Sequence, residues 1–246
     1  MTYSPDWLDW PGVWNARDLG GVRTARGVIA PGALIRSSHL DNLGEPGLVA
    51  MHAAGVRTVI DLRNLRESSI APPLSTDGPF PVTVARVLLP IEEHLDDDPE
   101  FADWIRTGTF ATALYFARFL ARWPERVVQV LRAVAVAAPG GVVLHCAQGK
   151  DRTGLTVAML LAVLGVESTT ITEDHGVTED RMASDAALGH VDPGELGAMA
   201  RLYDQAGRTR AEAMAAFLQE ATEFLGGLDP ALVAALDARL VRPTSG

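Results

Sequence analysis

A short polar segment, His145–Gly154, holds the residues that could do chemistry. It follows the apolar run Val142–Leu144 and precedes a second apolar run, Leu155–Leu164. This order predicts a strand, a tight loop and a helix. Backbone N–H groups at a helix N-terminus converge on one point and add the positive end of the helix dipole. The segment therefore predicts an anion site.

Two side chains in this loop are suited to covalent phosphate chemistry. Cys146 supplies a thiol, and thiols at helix N-termini beside cations lose their proton far more readily than free thiols. Arg152 supplies a planar guanidinium that can hold two phosphate oxygens and stabilise transition-state charge. A thiolate here can attack the phosphorus of a bound ester, and water then hydrolyses the phospho-cysteine.

The composition singles out the same loop. Cys146 is the only cysteine of the 246 residues and Lys150 is the only lysine. A chain that otherwise lacks both residue types places both in one loop, which favours that loop as the functional centre.

The pattern His-Cys-x5-Arg-Thr-Gly is similar to the phosphate-binding signature of the cysteine-dependent protein tyrosine and dual-specificity phosphatases. The full segment, His145–Gly154, resembles a bacterial branch of atypical phosphatases with broad specificity. Three further segments match that branch in the same order and extend the resemblance over roughly residues 10–180. They are Asn15–Gly21, Arg36–Leu40, and Asp61-Leu62-Arg63 followed by Glu67.

The resemblance implies roles for the loop residues. Cys146 is the nucleophile, Arg152 binds the phosphate and Asp151 is the general acid that protonates the leaving group. An aspartate at a helix start also suits a capping role, so both interpretations of Asp151 stay open. The other predicted substrate-binding residues of the loop are His145, Ala147, Gln148, Gly149, Lys150, Thr153 and Gly154.

Three of these residues carry more specific expectations. Lys150 is placed to contact a second phosphate, which keeps phosphoinositides among the predicted substrates. His145 is expected to hydrogen-bond the loop and tune Cys146. Thr153 could bond the Cys146 sulfur and so stabilise the thiolate.

Two more substrate-binding candidates come from a neighbouring strand. Val56–Arg63 is typical of a buried parallel strand, and ligands in open α/β sheets lie beyond the C-terminal ends of the strands. Asp61 and Arg63 are therefore expected near the loop of Cys146. The alternative is an Arg63–Glu67 pair at a helix start.

Arg17 and Asp18 either brace the loop, which the resemblance favours, or pair locally.

Several features support a structural interpretation more than a chemical one. Trp123-Pro124-Glu125 imitates the Trp-Pro-Asp acid loop of many tyrosine phosphatases, but proline is common at the first helical turn, so it predicts a helix start. The three aspartates at 96–98 favour a solvated acidic loop over a metal site. No metal or cofactor is predicted. Residues 91–110 are a candidate lid, by resemblance and loop length.

Composition limits the classes of function. Net charge of −10 and a pI near 5.0 argue against nucleic-acid binding. One cysteine excludes an internal disulfide and suits a reducing compartment. The longest apolar run, Leu155–Val166, is shorter than the ~20 residues that span a bilayer, so stable membrane insertion is not expected. A cytoplasmic protein is predicted, with export by a route without a cleaved signal as an open alternative.

The predicted fold is a single α/β domain over residues 1–246. It has a cysteine-phosphatase-like, mostly parallel central sheet flanked by helices, and residues 177–246 form a helical C-terminal part. Residues 1–14 form an arm whose tryptophans pack on the domain or dock a protein. Residues 71–110 contain a loop and the candidate lid. A β-hairpin is predicted around Pro31-Gly32, and helices over 45–54, 109–123, 124–138 and 228–240.

The predicted function is metal-independent hydrolysis of phosphomonoesters, with phosphorylated proteins or phosphoinositides as partners and phosphate bound in the loop. Phosphotyrosine is the favoured substrate class, with phosphoserine or phosphothreonine as further candidates. Three alternatives stay open: a non-catalytic phosphate-reading module, a rhodanese-like sulfur transferase, and a scaffold that acts through the tryptophan arm.

Overall fold

The computed structural model describes residues 3–69, 71, 74–75, 83–95, 97–186 and 192–243. Within them, six strands form a central sheet in the order β1-β2-β5-β8-β6-β7, and three form a small sheet in the order β3-β4-β9. The strands are β1 (Asp6–Trp7), β2 (Arg17–Asp18), β3 (Arg23–Thr24), β4 (Gly27–Ile29), β5 (Leu34–Ser37), β6 (Val56–Asp61), β7 (Ala85–Leu88), β8 (Gly141–His145) and β9 (Val241–Arg242).

Helices cover both faces of the central sheet and make up the C-terminal part. They are α1 (Gly44–Ala53), α2 (Leu65–Ser68), α3 (Pro99–Thr107), α4 (Phe116–Arg122), α5 (Pro124–Val136), α6 (Asp151–Val163), α7 (Ser168–Ala186), α8 (Pro193–Gln205), α9 (Arg210–Glu220), α10 (Thr222–Gly226) and α11 (Pro230–Leu240). Two short 3-10 turns, Thr109–Ala111 and Ala113–Tyr115, precede α4.

The strand before the cysteine lies in the middle of the sheet. β8 pairs in parallel with β5 on one side and with β6 on the other, and β6 pairs in parallel with β7. All five residues of β8 are buried. Its side chains alternate between faces: Val142 and Leu144 join one hydrophobic cluster, and Val143 joins the other. The predicted fold class, a mostly parallel sheet flanked by helices, is confirmed.

Two sequence predictions of local structure are wrong. The hairpin around Pro31-Gly32 does not form, because β4 pairs with β3 and β9 whereas β5 pairs with β2 and β8. The predicted helix 109–123 becomes helical only at Phe116. Gly108 ends α3 in the left-handed region (φ 79°), and Thr112 is extended (φ −140°) between the two 3-10 turns.

The predicted helix start at Trp123-Pro124-Glu125 is confirmed, and the structure adds a helix cap that was not predicted. α5 begins at Pro124, as the Trp-Pro-Glu segment predicted. Asp98 caps α3 by accepting from the backbone N–H groups of Glu100 and Phe101, at 3.0 and 3.1 Å. Part of the predicted 71–110 loop, including Asp96, lies outside the described residues, and the lid stays a prediction.

The N-terminal arm is only partly packed. Trp10 is buried in a hydrophobic cluster, whereas Trp7 on β1 is 38% exposed. In the part of the chain that the structure describes, no helix is both long and apolar enough to cross a membrane.

Candidate active site

The predicted loop connects the centre of the sheet to a buried helix. β8 ends at His145, Cys146 follows as a buried residue (3% exposed), and α6 begins at Asp151. Gly149 has φ 69°, and a Cβ there would lie 2.3 Å from the carbonyl oxygen of Ser37 at the end of β5. Only glycine permits this turn and this approach, so the loop is fitted against the neighbouring strand.

Polar side chains from the N-terminal segment brace the loop from behind. Asn15 donates its side-chain amide to the carbonyl oxygens of Gln148 (3.2 Å) and Gly149 (3.3 Å). Arg36 donates to the Gly149 carbonyl oxygen at 2.7 Å. Arg17 donates to the Asn15 side chain at 2.5 Å and so fixes it. These contacts confirm bracing by Arg17, exerted through Asn15.

A buried ion-pair cluster holds these braces in place. Asp174 on α7 accepts from Arg17 (2.8 Å) and from Arg36 (2.5 Å), and both guanidinium groups are buried. The two cations hold the pKa of Asp174 well below its usual range against the effect of burial. Asp18 takes no part: it accepts from the backbone N–H groups of Gly20 and Gly32, so its predicted bracing role is wrong.

His145 contacts the loop backbone at Cys146. Its Nδ1 lies 3.1 Å from the Cys146 carbonyl oxygen, and its Nε2 lies 3.6 Å from Asp61. Burial lowers the pKa of His145 to about 4, so the ring is neutral at pH 7. Thr153 is also buried, but its hydroxyl makes no hydrogen bond to the Cys146 sulfur, so that predicted bond is not formed here.

Arg152 is held by two carboxylates that sequence reasoning did not assign to it. Glu67 on α2 accepts from both terminal nitrogens, at 2.6 and 2.9 Å. Glu92 lies 3.3 Å from Nε. The hydrogen bonds to Glu67 and the nearby Glu92 raise the pKa of Arg152 further despite its burial. A guanidinium has five N–H donors, so donors remain for a phosphate.

Glu92 is the more unusual of the two carboxylates. It is 2% exposed, and the Tyr115 hydroxyl donates to it at 3.4 Å. Burial raises its pKa to about 8, although Arg152 favours the charged form. Its position after β7, at the C-terminal edge of the parallel sheet, is the sequence signal that could have identified it. The neighbouring run of acidic residues, which indicated a solvated loop, obscured that signal.

Asp151 carries the features of an acid more than those of a cap. No side chain caps α6, so the capping interpretation is wrong. Its Oδ1 is buried and accepts no hydrogen bond among the described residues, and its Oδ2 lies 3.7 Å from Lys150 Nζ. Burial raises the pKa of Asp151, which favours the protonated form that a general acid requires.

Lys150 points away from bulk solvent. It is 1% exposed, and its ammonium donates to the Ala111 carbonyl oxygen (3.1 Å) and the Met199 sulfur (3.2 Å). Glu195 on α8 accepts from it at 3.4 Å and from the Gln148 amide at 3.2 Å. A helix distant in sequence therefore contacts two residues of the predicted phosphate loop.

Ala147, Gln148 and Gly154 are the remaining residues of the predicted loop. Ala147 accepts a backbone hydrogen bond from His39 (2.9 Å), and both Ala147 and Gln148 are only partly buried. A Cβ on Gly154 would lie 2.9 Å from the ring of His175. That ring packs edge-to-face on Phe116.

Asp61 and Arg63 support the strand end beside the loop. Arg63 donates to Asp41 at 2.7 and 3.0 Å and to Asp61 at 3.0 and 2.9 Å. The alternative Arg63–Glu67 pair is not the arrangement found, because Glu67 binds Arg152. Asp61 approaches the loop through His145, and a substrate contact by either residue stays a prediction.

The fold and the site together define an α/β protein with a cysteine-containing loop between a central parallel strand and a buried helix. A family model described as "Tyrosine phosphatase family" matches residues 8–239. The chain therefore belongs to the tyrosine phosphatase family, and the family predicted from the loop is confirmed.

Two curated relatives illustrate the similarity. The "Triple specificity protein phosphatase PtpB" of Mycobacterium tuberculosis is 31% identical over 190 residues, which cover 67% of this chain and 66% of that protein. A "Tyrosine-protein phosphatase" of Nostoc commune is 27% identical over 173 residues, which cover 66% of this chain and 57% of that protein. The matched regions thus span less than two thirds of the length of these relatives.

Proposed function

We propose that this protein hydrolyses phosphomonoesters through a phospho-cysteine intermediate, with phosphotyrosine in proteins as the favoured substrate. The observation that carries the proposal is Arg152, which Glu67 fixes through both terminal nitrogens at 2.6 and 2.9 Å and which lies in the same short loop as Cys146. A nucleophile and a bidentate phosphate ligand thus share one loop at the start of α6.

The first step uses the two charged groups of the loop. The Cys146 thiolate attacks phosphorus, an S–P bond forms and the P–O bond to the leaving group breaks. Arg152 stabilises the charge on the phosphoryl oxygens. Asp151 gives its proton to the departing alkoxide or phenoxide, a role that its raised pKa supports.

The second step reverses the roles. The Asp151 carboxylate takes a proton from a water molecule, and the water oxygen attacks phosphorus. The S–P bond breaks, Cys146 leaves as a thiolate and inorganic phosphate is released. These residues complete the cycle by themselves, so we propose that no metal is needed.

The substrate range follows from the relatives. The family name supports phosphotyrosine, and the printed name of PtpB supports a broader range for that protein. We therefore keep phosphoserine, phosphothreonine and phosphoinositides as further candidates. A lone reactive thiol persists best in a reducing compartment, which supports a cytoplasmic location.

Phosphate release from a substrate panel tests this function. The panel contains an aryl phosphate, phosphotyrosine and phosphoserine peptides and a soluble phosphoinositide, all with EDTA present. We expect activity that survives EDTA and is lost in Cys146→Ser, while Cys146→Ser still binds the esters. Binding without turnover by the unmodified protein would instead indicate a phosphate-reading module. Activity that EDTA abolishes would contradict the metal-free mechanism.

A further inference from the structure

The carboxylate of Glu195 lies against the loop His145–Gly154. It lies in the first turn of α8, and its two carboxylate oxygens accept from different loop side chains, Lys150 Nζ at 3.4 Å and Gln148 Nε2 at 3.2 Å. The side chain is 29% exposed, so it lies at the rim and not in the core. Two donors that converge on one carboxylate are also suited to an oxygen of a second phosphate.

The positive charge of Lys150 already has a carboxylate partner within the protein. Glu195 lies 3.4 Å from its ammonium, so its one positive charge is already paired with a carboxylate. The Ala111 carbonyl oxygen and the Met199 sulfur accept its other hydrogen bonds. A second phosphate beside the loop would therefore be repelled by carboxylate charge, whereas an unpaired lysine would have attracted it.

Building on the proposed function, we propose that Glu195 is a specificity-determining residue that selects substrates with a single phosphate. Its carboxylate lies beside the loop, against Lys150 and Gln148, and repels a phosphate adjacent to the one being cleaved. Phosphorylated side chains of proteins carry one isolated phosphate and satisfy this requirement. Polyol phosphates with vicinal phosphate groups do not.

Removing the charge of Glu195 tests the proposal. The experiment compares kcat/KM for a soluble inositol monophosphate and for an inositol bisphosphate with vicinal phosphates, in the unmodified protein and in Glu195→Gln. The bisphosphate-to-monophosphate ratio should rise roughly tenfold in Glu195→Gln, because one unit of like charge close to the second phosphate is removed. Activity on a phosphotyrosine peptide should change less than threefold, since that substrate has no second phosphate.

Asp204→Asn is the matched control. Asp204 is an exposed acid on the same helix, so its substitution removes the same charge without touching the loop contacts. Its ratio should equal that of the unmodified protein. An unchanged ratio in Glu195→Gln, or an equal rise in both variants, would overturn the proposal.

Binding separates this proposal from the proposed function. The affinities for the same two inositol phosphates are measured by calorimetry with Cys146→Ser alone and combined with Glu195→Gln. The double variant should gain roughly tenfold in affinity for the bisphosphate relative to the monophosphate. That gain would support the specificity role even if no substrate were hydrolysed, and its absence would refute it even if hydrolysis were established.

Discussion

Glu67→Gln is the substitution that most directly probes how Arg152 is positioned. Glu67 accepts from both terminal nitrogens of Arg152, at 2.6 and 2.9 Å. The amide of glutamine keeps one acceptor oxygen but loses the charge and the paired geometry. Arg152 would then sample other orientations, and fewer of them would match the transition-state oxygens.

The structure sets the size of the effect. Hydrogen bonds to charged groups contribute about 1.5–3 kcal/mol each. The Arg152 side chain is 9% exposed, but that of Glu67 is 36% exposed, so water screens the pair. We therefore expect a loss of about 1–2 kcal/mol, which corresponds to a decrease of roughly 5- to 30-fold in kcat/KM. Most of the loss should fall on kcat, because Arg152 interacts most strongly with the transition state.

The assay is steady-state hydrolysis of an aryl phosphate, with the melting temperature measured in parallel. Glu93→Gln is the matched control. Glu93 accepts from the backbone N–H of Leu65, which lies on the same helix as Glu67, but it makes no hydrogen bond to Arg152. The control should keep kcat/KM within about twofold of the unmodified protein, since it leaves the Arg152 hydrogen bonds intact.

Three results would refute this reasoning. Unchanged kcat/KM in Glu67→Gln would show that Arg152 does not need Glu67 to orient it. Increased activity would show that Glu67 withholds Arg152 from the phosphate. A large drop in melting temperature, with the activity loss confined to unfolded protein, would assign Glu67 a structural role.

Three further predictions concern the loop and its surroundings. Asp151→Asn should slow alkyl phosphates by roughly 10²–10⁴-fold and aryl phosphates much less, because only poor leaving groups need the proton; Glu125→Gln, an exposed acid, should slow neither. Gly149→Ala should lower the melting temperature and abolish activity, whereas Gly207→Ala, with a similar φ (63°) and open space, should cost only the ~1–2 kcal/mol of left-handed strain. The pKa of Glu92 is raised from 4.5 to about 8, so the native state keeps a proton that the unfolded state releases between these values. The urea stability of the unmodified protein should therefore fall relative to Glu92→Gln as the pH rises through this window.

Each of these predictions has an outcome that contradicts it. Equal slowing of alkyl and aryl phosphates in Asp151→Asn would remove Asp151 as the acid. Equal effects of the two alanine substitutions would mean that the loop moves easily away from β5. A stability difference between Glu92→Gln and the unmodified protein that is constant with pH would show that Glu92 is charged in the folded state.

The centre of the site could be predicted from sequence because its determinants are local. The apolar runs on either side of His145–Gly154 predict a strand and a helix with a tight loop between them. The structure has both, and the helix begins four residues before the apolar run, at Asp151. The nucleophile and the phosphate ligand belong to the same short segment. Family membership followed from that segment and from three others in matching order.

The contacts that hold the site together were not predictable in the same way. Glu67 meets Arg152 across 85 residues of sequence, and Glu195 meets Lys150 across 45. No local pattern pairs such residues. The hairpin at Pro31-Gly32 failed for a related reason, since a turn signal does not say which sheet each flanking strand joins.

The central claim is that phosphate passes through Cys146. The most direct test is rapid acid quenching during turnover of an aryl phosphate, followed by mass spectrometry of the peptide that contains Cys146. The account predicts a phosphoryl group on that peptide, formed in a burst of phenol release and absent from Cys146→Ser. Continuous turnover with no phosphoryl group on Cys146, and undiminished activity in Cys146→Ser, would contradict it.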